Sequence, residues 1–286
     1  MSAPLVEKAC AKINLTLRVL GRRADGYHTL ESLMAFATVS DTLALQPAAA
    51  VGLEITGPFA AACGAIADNL VLKAVSALGA RVGDVKIGHF YLQKTLPVAA
   101  GIGGGSADAA AALRLMAQLN DLALDDPRLA AAALAVGADV PVCLDARARI
   151  VRGIGEQLSG PVALPPLPAL MVNPGVPLVT RGVFAAYAGS ESGAGELGEI
   201  PGEADALIDM LGRCGNDLTQ AAIACAPVVA TVLTALQALP GARLARMSGS
   251  GPTCFALFST TAEAMAAEKR LALEHKDWWV RATVIA

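Results

Sequence analysis

The segment PVAAGIGGGSADA at residues 97–109 combines glycines, a serine and a following helix pattern in the way that phosphate binding requires. Glycine has no Cβ atom, so its backbone adopts positive φ readily and successive N–H groups can converge on an anion. This property applies to Gly101, Gly103, Gly104 and Gly105. From Ser106 the chain reads SADAAAALRLMAQL, which predicts a helix with Asp108 in its first turn. Because the N-terminus of a helix carries unpaired N–H groups and a positive dipole end, we expect phosphate to bind here.

Other interpretations of the glycine-rich segment are weaker. Glycine clusters are often simple turns, but the helix pattern that follows favours an anion site. Gly101 and Gly103 begin a G-x-G, yet Ser106 stands at the third glycine of the dinucleotide-binding fingerprint, which makes that match poor. The sequence contains no G-x-x-x-x-G-K-[ST] motif, so a P-loop NTPase is not indicated.

Composition indicates a globular protein large enough for two domains, because the chain has 286 residues, of which 55% are hydrophobic and 16% charged. The formal net charge of −3 gives no electrostatic reason to expect a nucleic acid partner. Six cysteines without a C-x-x-C pair argue for reduced thiols rather than for zinc. Charged residues near the start, among them Glu7 and Lys8, interrupt any signal-peptide pattern, and we expect a cytoplasmic protein without a membrane segment.

The elements around the glycine-rich segment alternate between strands and helices. Strands are predicted in ACAKINLTLRVL, LMAFATVSDTLAL and DVKIGHFYLQKTL, and a helix is predicted in NLVLKAVSALGARVG. DPRLAAAALAVG predicts another helix, and we expect the following DVPVCL to be a strand. Near the end of the chain, a small-residue turn from Ser248 to Gly251 leads into the strand pattern TCFALF. The proline-dense segment GPVALPPLPALMVNPGVPL predicts a boundary between two domains, residues 1–160 and 161–286.

Three segments resemble, in order, the three motifs of the GHMP kinase superfamily: AKINLTLRVLGRRADGYHTLESL, LPVAAGIGGGSADAAAAL and MSGSGPTCFALF. The A-K-I-N-L start with the R-A-D-G-Y-H that follows is similar to the branch whose substrate is a polyol bearing cytidine diphosphate. The stretches GADVPV and TRGVF and the pair Asn216-Asp217 match as well. The likeness therefore covers nearly the whole chain.

The resemblance implies an α+β fold in two lobes, an N-terminal nucleotide-binding lobe and a ferredoxin-like C-terminal lobe. It implies ATP-dependent phosphorylation of the 2-hydroxyl of 4-diphosphocytidyl-2-C-methyl-D-erythritol, on the methylerythritol phosphate route to isoprenoid precursors. The expected cofactors are ATP and Mg²⁺, and the expected partner is a small molecule with a cytidine diphosphate group. The protein would be a monomer or a homodimer.

By the same resemblance, Lys12 and Asp139 match the catalytic pair. Phosphoryl transfer needs positive charge at the transferring group and a carboxylate that receives the proton of the alcohol. Lys12 is expected to hold the alcohol and the γ-phosphoryl group together, and Asp139 to deprotonate the alcohol. Outside this context, Asp139 would be interpreted as a helix-capping or turn aspartate and Lys12 as an exposed strand residue.

The resemblance also assigns binding residues. Asn14 would bond to the polyol, Tyr27, His28 and Phe184 would bind the cytosine end, and Thr180 would bind substrate. The nucleotide would contact Lys94, Pro97, Gly101, Gly103, Gly104, Gly105 and Ser106, although Lys94 has the alternative of an exposed strand lysine. Ala99 and Ala100 stand where some relatives carry glycine, and we expect both to keep negative φ.

Two other functions stay open at this point. One is a different GHMP kinase, of the homoserine or mevalonate type, although these lack the R-A-D-G-Y-H signature. The other is a binding protein that keeps the fold without catalysis, which the presence of both Lys12 and Asp139 disfavours. No carboxylate is marked as a metal ligand by its local sequence, so we assign none and expect phosphates, water and Ser106 to hold Mg²⁺.

Overall fold

The computed structural model describes residues 3–189 and 197–286. The strands of these residues, in chain order, are β1 (Leu5–Asn14), β2 (Arg18–Arg22), β3 (His28–Pro47), β4 (Gly52–Thr56), β5 (Gly88–Gln93), β6 (Arg149–Gly153), β7 (Gln157–Pro161), β8 (Leu167–Asn173), β9 (Leu244–Met247), β10 (Cys254–Leu257) and β11 (Trp279–Ile285). The α-helices are α1 (Leu70–Val82), α2 (Gly104–Leu119), α3 (Pro127–Val136), α4 (Val140–Asp145), α5 (Thr180–Ala186), α6 (Ala204–Arg213), α7 (Thr219–Cys225), α8 (Val228–Gln237) and α9 (Thr261–Glu274).

The described residues form two compact units. One contains residues 3–11, 40–98 and 103–146, and we call it the N-terminal unit. The other contains residues 12–39, 99–102, 147–189 and 197–286, and we call it the C-terminal unit. Strands β1 and β3 and the glycine-rich segment each contribute residues to both units. The division into residues 1–160 and 161–286 stays a prediction.

In the N-terminal unit, β5 lies between β4 and the second half of β3. β4 runs parallel to β5, and β3 runs antiparallel to it. Helix α1 packs against α2 and α3, and α2 packs against α4. α1 begins where the Asn69 side chain accepts a hydrogen bond from the Val71 N–H, and it buries one apolar face at helical spacing. This face forms the helical side of the unit's core.

Helix α2 starts at Gly104, two residues before the predicted start at Ser106. Its N-cap, Gly103, has a φ of 63°, a left-handed conformation that glycine adopts without a Cβ clash. The alanines from Ala109 to Ala112 are fully buried. Because alanine side chains are small, α1 and α4 can pack closely against this helix.

The prediction of a strand for DVPVCL is wrong, because Val140–Asp145 forms the short helix α4. Pro141 lies in its first turn, where proline removes no intrahelical hydrogen bond. Gly137 ends α3, and Asp139 takes the N-cap position of α4. A short apolar run does not distinguish a strand from a buried helical turn, which explains the error.

In the C-terminal unit, β11, β8, β10 and β9 form an antiparallel sheet in that spatial order. Helices α5, α6, α7 and α8 come between β8 and β9 in the chain, and α9 comes between β10 and β11. This β-α-β-β-α-β connectivity is the ferredoxin-like arrangement expected for the C-terminal lobe. Buried apolar side chains from the sheet, such as Val172 and Ala256, pack with helical ones such as Val232 and Leu271.

A second antiparallel group in this unit comprises β2, the first half of β3, β6 and β7. Glu31 of β3 is 1% exposed and lies opposite Arg18 of β2 and Arg152 of β6. Its carboxylate accepts hydrogen bonds from Arg18 at 3.2 Å and from Arg152 at 3.0 Å. It also accepts one from the Leu197 N–H at 3.1 Å. A single buried carboxylate thus joins β2, β3, β6 and the backbone at Leu197.

Candidate active site

The three sequence motifs meet in the C-terminal unit. The Asn14 N–H donates a hydrogen bond to Ser248 Oγ at 3.1 Å, and that hydroxyl donates to the Gly101 carbonyl at 3.2 Å. The Thr253 N–H donates to the Ala100 carbonyl at 3.3 Å. Since these residues come from the first, second and third motifs, the fold joins all three by direct contacts.

Strand β1 carries Lys12 and Asn14 two residues apart, so both project from the same face. Their exposed fractions are 5% and 2%, so the alternative of an exposed strand lysine does not hold for Lys12. The Lys12 N–H donates to the Ile102 carbonyl at 2.9 Å, which ties the strand to the glycine-rich segment. Two buried polar side chains on one strand face indicate a functional surface.

The Asn14 amide has a defined orientation. Ser32 Oγ donates its hydrogen to the Thr16 carbonyl at 2.5 Å, so it can only accept from Asn14 Nδ2, at 2.8 Å. Asn14 Oδ1 is buried and has no hydrogen-bond partner among residues 3–189 and 197–286. A Cβ atom at Gly249 would lie 3.2 Å from this oxygen. Glycine at that position therefore leaves space beside a buried acceptor that needs a donor.

The backbone of the glycine-rich segment has positive φ at every second residue: 52° at Ala99, 73° at Gly101 and 63° at Gly103. The expectation of negative φ is thus wrong for Ala99, which adopts the left-handed region despite its Cβ atom. A Cβ at Gly101 would lie 2.5 Å from the Gly251 carbonyl oxygen, so only glycine fits there. Alternation of this kind turns successive N–H groups toward one side, as in anion-binding nests.

The residues assigned to the cytosine end follow the turn at Asp25-Gly26. The Tyr27 N–H donates to Asp25 Oδ1 at 3.1 Å, and the Tyr27 side chain is 62% exposed. The His28 ring stacks on the Phe184 ring at a centroid distance of 5.3 Å and an interplanar angle of 22°. The structure therefore brings His28 and Phe184 together and leaves the Tyr27 ring accessible.

Thr180 is the first residue of α5, and its hydroxyl lies 3.0 Å from Ser250 Oγ in the third motif. Asn216 also contacts this motif, because its Nδ2 donates to the Met247 and Gly249 carbonyls, each at 2.8 Å. The sequence did not single out Ser248 and Ser250 as separate contacts, although the motif M-S-G-S-G-P contains both. These bonds fix the shape of the third motif.

In the N-terminal unit, Gly104, Gly105 and Ser106 form the first turn of α2, and Gly105 is exposed. Pro97 is buried and precedes the segment. A Cβ atom at Gly104 would lie 3.3 Å from Lys94 Nζ. The Lys94 ammonium therefore lies beside the first turn of α2, where a helix has unpaired N–H groups.

Lys94 is buried, which rules out the alternative of an exposed strand lysine. It is 3% exposed, and its ammonium donates to Asp41 Oδ2 at 2.6 Å and to Asp108 Oδ2 at 2.5 Å. Sequence interpretation missed Asp41, which lies within the apolar strand pattern LMAFATVSDTLAL. A charged residue inside such a pattern was the available signal, because charged side chains are rarely buried without a partner.

Burial raises the pKa of the Asp108 carboxyl to about 7, against the opposing effect of Lys94 and with a further rise from Asp41. In the unfolded chain this carboxyl titrates at about 3.9. The folded state therefore retains the Asp108 proton to higher pH. The stability linked to that proton is complete below the unfolded pKa and is lost as the pH rises through the folded one.

We expect the Asp108→Asn variant to lose this pH dependence. Between the two pKa values, the free energy of unfolding of the unmodified protein should fall relative to that of Asp108→Asn by about 1.4 kcal/mol per pH unit. Urea unfolding of both proteins at several pH values in this range measures the difference. Asp121→Asn is the control, because the Asp121 side chain is 87% exposed. Parallel curves for Asp108→Asn and the unmodified protein would contradict the prediction.

Asp139 is half-buried at the N-cap of α4, and its side chain makes no capping hydrogen bond. Its carboxylate therefore does not cap the helix, although Asp139 does lie in a turn, as the second part of that alternative states. Arg114 of α2 supports the other end of this helix, donating from Nη1 to the Cys143 carbonyl at 3.0 Å and from Nε to Glu7 at 2.8 Å. Such a cation satisfies carbonyls that a helix C-terminus leaves unpaired, and it fixes α4 relative to α2.

The fold and the motif contacts define a kinase of the GHMP class, and comparison with family models agrees. The model of the GHMP kinase N-terminal domain matches residues 69–147, and that of the GHMP kinase C-terminal domain matches residues 192–276. The predicted α+β fold class is confirmed. A crystal structure of homoserine kinase from Cytophaga hutchinsonii, at 18% identity, superposes with a TM-score of 0.69 over all of this chain and 95% of that one and shares the fold.

Closer relatives give the particular family. A protein of Bradyrhizobium diazoefficiens named 4-diphosphocytidyl-2-C-methyl-D-erythritol kinase is 52% identical, over 99% of this chain and 98% of its own length. A protein of Rhodopseudomonas palustris with the same name is 55% identical, over 97% and 96%. A crystal structure of 4-(cytidine 5'-diphospho)-2C-methyl-D-erythritol kinase is 33% identical, has a TM-score of 0.82 and covers 99% of both chains. The chain belongs to the 4-diphosphocytidyl-2-C-methyl-D-erythritol kinase family.

In the part of the chain that the structure describes, no group of three or more His, Cys, Asp and Glu side chains is arranged to hold a metal ion. Across the same residues, no helix is both long and apolar enough to cross a bilayer.

Proposed function

We propose that this protein transfers the γ-phosphoryl group of ATP to the 2-hydroxyl of 4-diphosphocytidyl-2-C-methyl-D-erythritol, in the methylerythritol phosphate pathway to isoprenoid precursors. Full-length similarity to kinases of that name supports the substrate, and the GHMP kinase domains support ATP as the donor. The structural observation that carries the proposal is the buried acceptor Asn14 Oδ1, which has no partner among the described residues. A polyol hydroxyl would supply the missing donor.

The proposed chemistry assigns one task to each catalytic residue. The Asp139 carboxylate accepts the proton of the 2-hydroxyl as that oxygen attacks the γ-phosphorus, and ADP leaves with the bridging oxygen. The Lys12 ammonium stabilises the negative charge on the transferring group. The buried position of Lys12 and the half-buried position of Asp139 at the start of α4 support these roles.

For the nucleotide, we propose contacts with Lys94, Pro97, Gly101 and the first turn of α2 from Gly103 to Ser106. The alternating positive φ values and the N-terminus of α2 support phosphate binding. A single hydroxyl ligand is compatible with Mg²⁺, because this ion keeps several waters and needs few protein ligands when phosphates supply oxygens. Ser106 would be its protein ligand, and the ion would neutralise charge on the phosphates.

For the cytidine end, we propose that the exposed Tyr27 ring stacks on cytosine while His28 bonds to the base edge. Phe184 contributes through its ring, which lies against His28. Thr180 would contact the substrate beside the third motif, as its position 3.0 Å from Ser250 suggests. The cytoplasmic location, the absence of a nucleic acid partner and a monomeric or homodimeric state stay predictions.

A substrate panel tests the proposal. We expect the purified protein, supplied with ATP and Mg²⁺, to form ADP and a 2-phosphorylated product from 4-diphosphocytidyl-2-C-methyl-D-erythritol, as followed by phosphorus NMR. Homoserine, mevalonate and methylerythritol phosphate are the comparison substrates. Equal use of methylerythritol phosphate would contradict the cytidine assignment, and ATP binding without turnover of any substrate would favour a binding protein.

A further inference from the structure

We propose that Asp41 is a positioning residue of the nucleotide site, holding the Lys94 ammonium and the backbone that leads into the glycine-rich segment in one geometry. The inference rests on the proposed function, because it concerns ATP binding. It assigns a task to a residue that neither the sequence motifs nor the similarity to known kinases identifies.

The Asp41 carboxylate divides its two oxygens between two tasks. Oδ1 accepts hydrogen bonds from the N–H groups of Thr95 at 2.5 Å and Leu96 at 2.8 Å. Oδ2 accepts from Lys94 Nζ at 2.6 Å. One side chain therefore fixes residues 94–96, the three that immediately precede Pro97. Proline itself has a fixed φ and no N–H group. Because Asp41 is fully buried, water does not compete for these bonds.

The same contacts connect Asp41 to the start of α2. Lys94 Nζ also bonds to Asp108 Oδ2 at 2.5 Å, and it lies 3.3 Å from where a Cβ of Gly104 would be. Asp41 Oδ2 lies 3.9 Å from that same point. A shift of the ammonium would therefore alter its contacts with the first turn of α2, the helix whose N–H groups are proposed to bind phosphate.

Charge supports a positioning role over a purely structural one. Burial lowers the pKa of the Lys94 ammonium, but Asp108 and Asp41 outweigh this effect and raise it above its ordinary value. The cation thus stays charged where burial alone would neutralise it. A structural contact of this kind would be served as well by apolar side chains of similar volume. The charge therefore serves to fix the location of the ammonium beside the first turn of α2.

The test compares ATP affinity with substrate affinity in the full-length Asp41→Asn variant. The amide keeps an oxygen for the two backbone N–H groups but turns a donor toward Lys94. By calorimetry, we expect the Kd of ATP to rise roughly 10- to 100-fold, as for a lost charged hydrogen bond. The Kd of the cytidine-bearing substrate should stay within about twofold and kcat at saturating ATP within about threefold, since neither depends on the ammonium's location.

A double-variant comparison shows whether Asp41 acts through Lys94. If it does, Asp41→Asn/Lys94→Gln should bind ATP no more weakly than Lys94→Gln alone. Asp126→Ala is the stability control, because it removes an N-cap outside these contacts and should leave ATP affinity unchanged. Should Asp41→Asn fail to fold, the smaller Asp41→Ser takes its place with the same expected results.

Three results would overturn the inference: an ATP affinity within twofold of that of the unmodified protein, an equal loss of affinity for both substrates, or additive effects of the two substitutions. Each of them leaves the proposed function intact, since the unmodified protein binds ATP in all three. Absence of ATP binding by the unmodified protein would instead contradict the proposed function and this inference together.

Discussion

Replacing Asp139 with asparagine is expected to lower kcat by roughly 10²- to 10⁴-fold, the range for loss of a general base. Asparagine has nearly the same shape but cannot accept the proton of the alcohol. Because asparagine fits a turn as well as aspartate does and Arg114 holds the far end of α4, we expect the variant to fold normally. Steady-state kinetics give kcat, and calorimetry should show unchanged ATP affinity.

The matched control for this variant is Asp121→Asn in the same unit. Asp121 is on the surface with a φ of 55°, a left-handed conformation that asparagine tolerates as well as aspartate. Its kcat should equal that of the unmodified protein. An Asp139→Asn protein with near-normal turnover would show that another group receives the proton.

Replacing Tyr27 with alanine should reduce kcat/KM for the cytidine-bearing substrate. The loss should be equivalent to about 1 to 3 kcal/mol, if stacking here resembles that of bases on aromatic platforms. This corresponds to roughly 5- to 150-fold. The Tyr27 ring is 62% exposed, so its removal should cost little folding stability. Contacts far from the reacting atoms can raise kcat as well as lower KM when they position the alcohol, so their loss can lower kcat and raise KM.

Two companion variants separate stacking from other effects of the Tyr27 substitution. Tyr27→Phe keeps the ring and should retain most activity if stacking dominates. Loss of activity in Tyr27→Phe would assign recognition to the hydroxyl. Tyr91→Ala removes another exposed tyrosine, 44% exposed on β5, and should leave kcat/KM unchanged. ATP affinity should be the same in all of these proteins. An intact kcat/KM in Tyr27→Ala would leave only the broader kinase assignment.

The helices and strands that the sequence predicted correctly have local signals, whereas most elements after residue 145 were not predicted. The apolar spacing of α1, the helix after the glycines and the strand in TCFALF depend on residues a few positions apart. The exception, DVPVCL, is too short for its period to distinguish a helix from a strand. Of the four glycines that were expected to adopt positive φ readily, Gly101 and Gly103 do so, whereas Gly104 and Gly105 are the first residues of helix α2. Ala99 also has positive φ, although nothing in its residue type indicates it.

The chemistry-bearing residue types could be predicted from the sequence, but their partners could not. Asp41 and Lys94 are 53 positions apart in the chain, and their hydrogen bond exists only because β3 and β5 pair in register. The pair His28 and Phe184 depends likewise on distant segments of the C-terminal unit. Sequence patterns contain no information on such distances unless the topology is known.

By itself, the sequence determined the class of chemistry, through a glycine-rich helix start with a lysine and an aspartate in recognisable motifs. The tertiary structure alone decided which polar groups are buried and which of them are satisfied. It showed that the Lys94 ammonium is paired with two carboxylates and that Asn14 Oδ1 is without a partner among the described residues. The physical reason is that burial and hydrogen bonding are properties of packed neighbours, whereas residue type and spacing are properties of the chain.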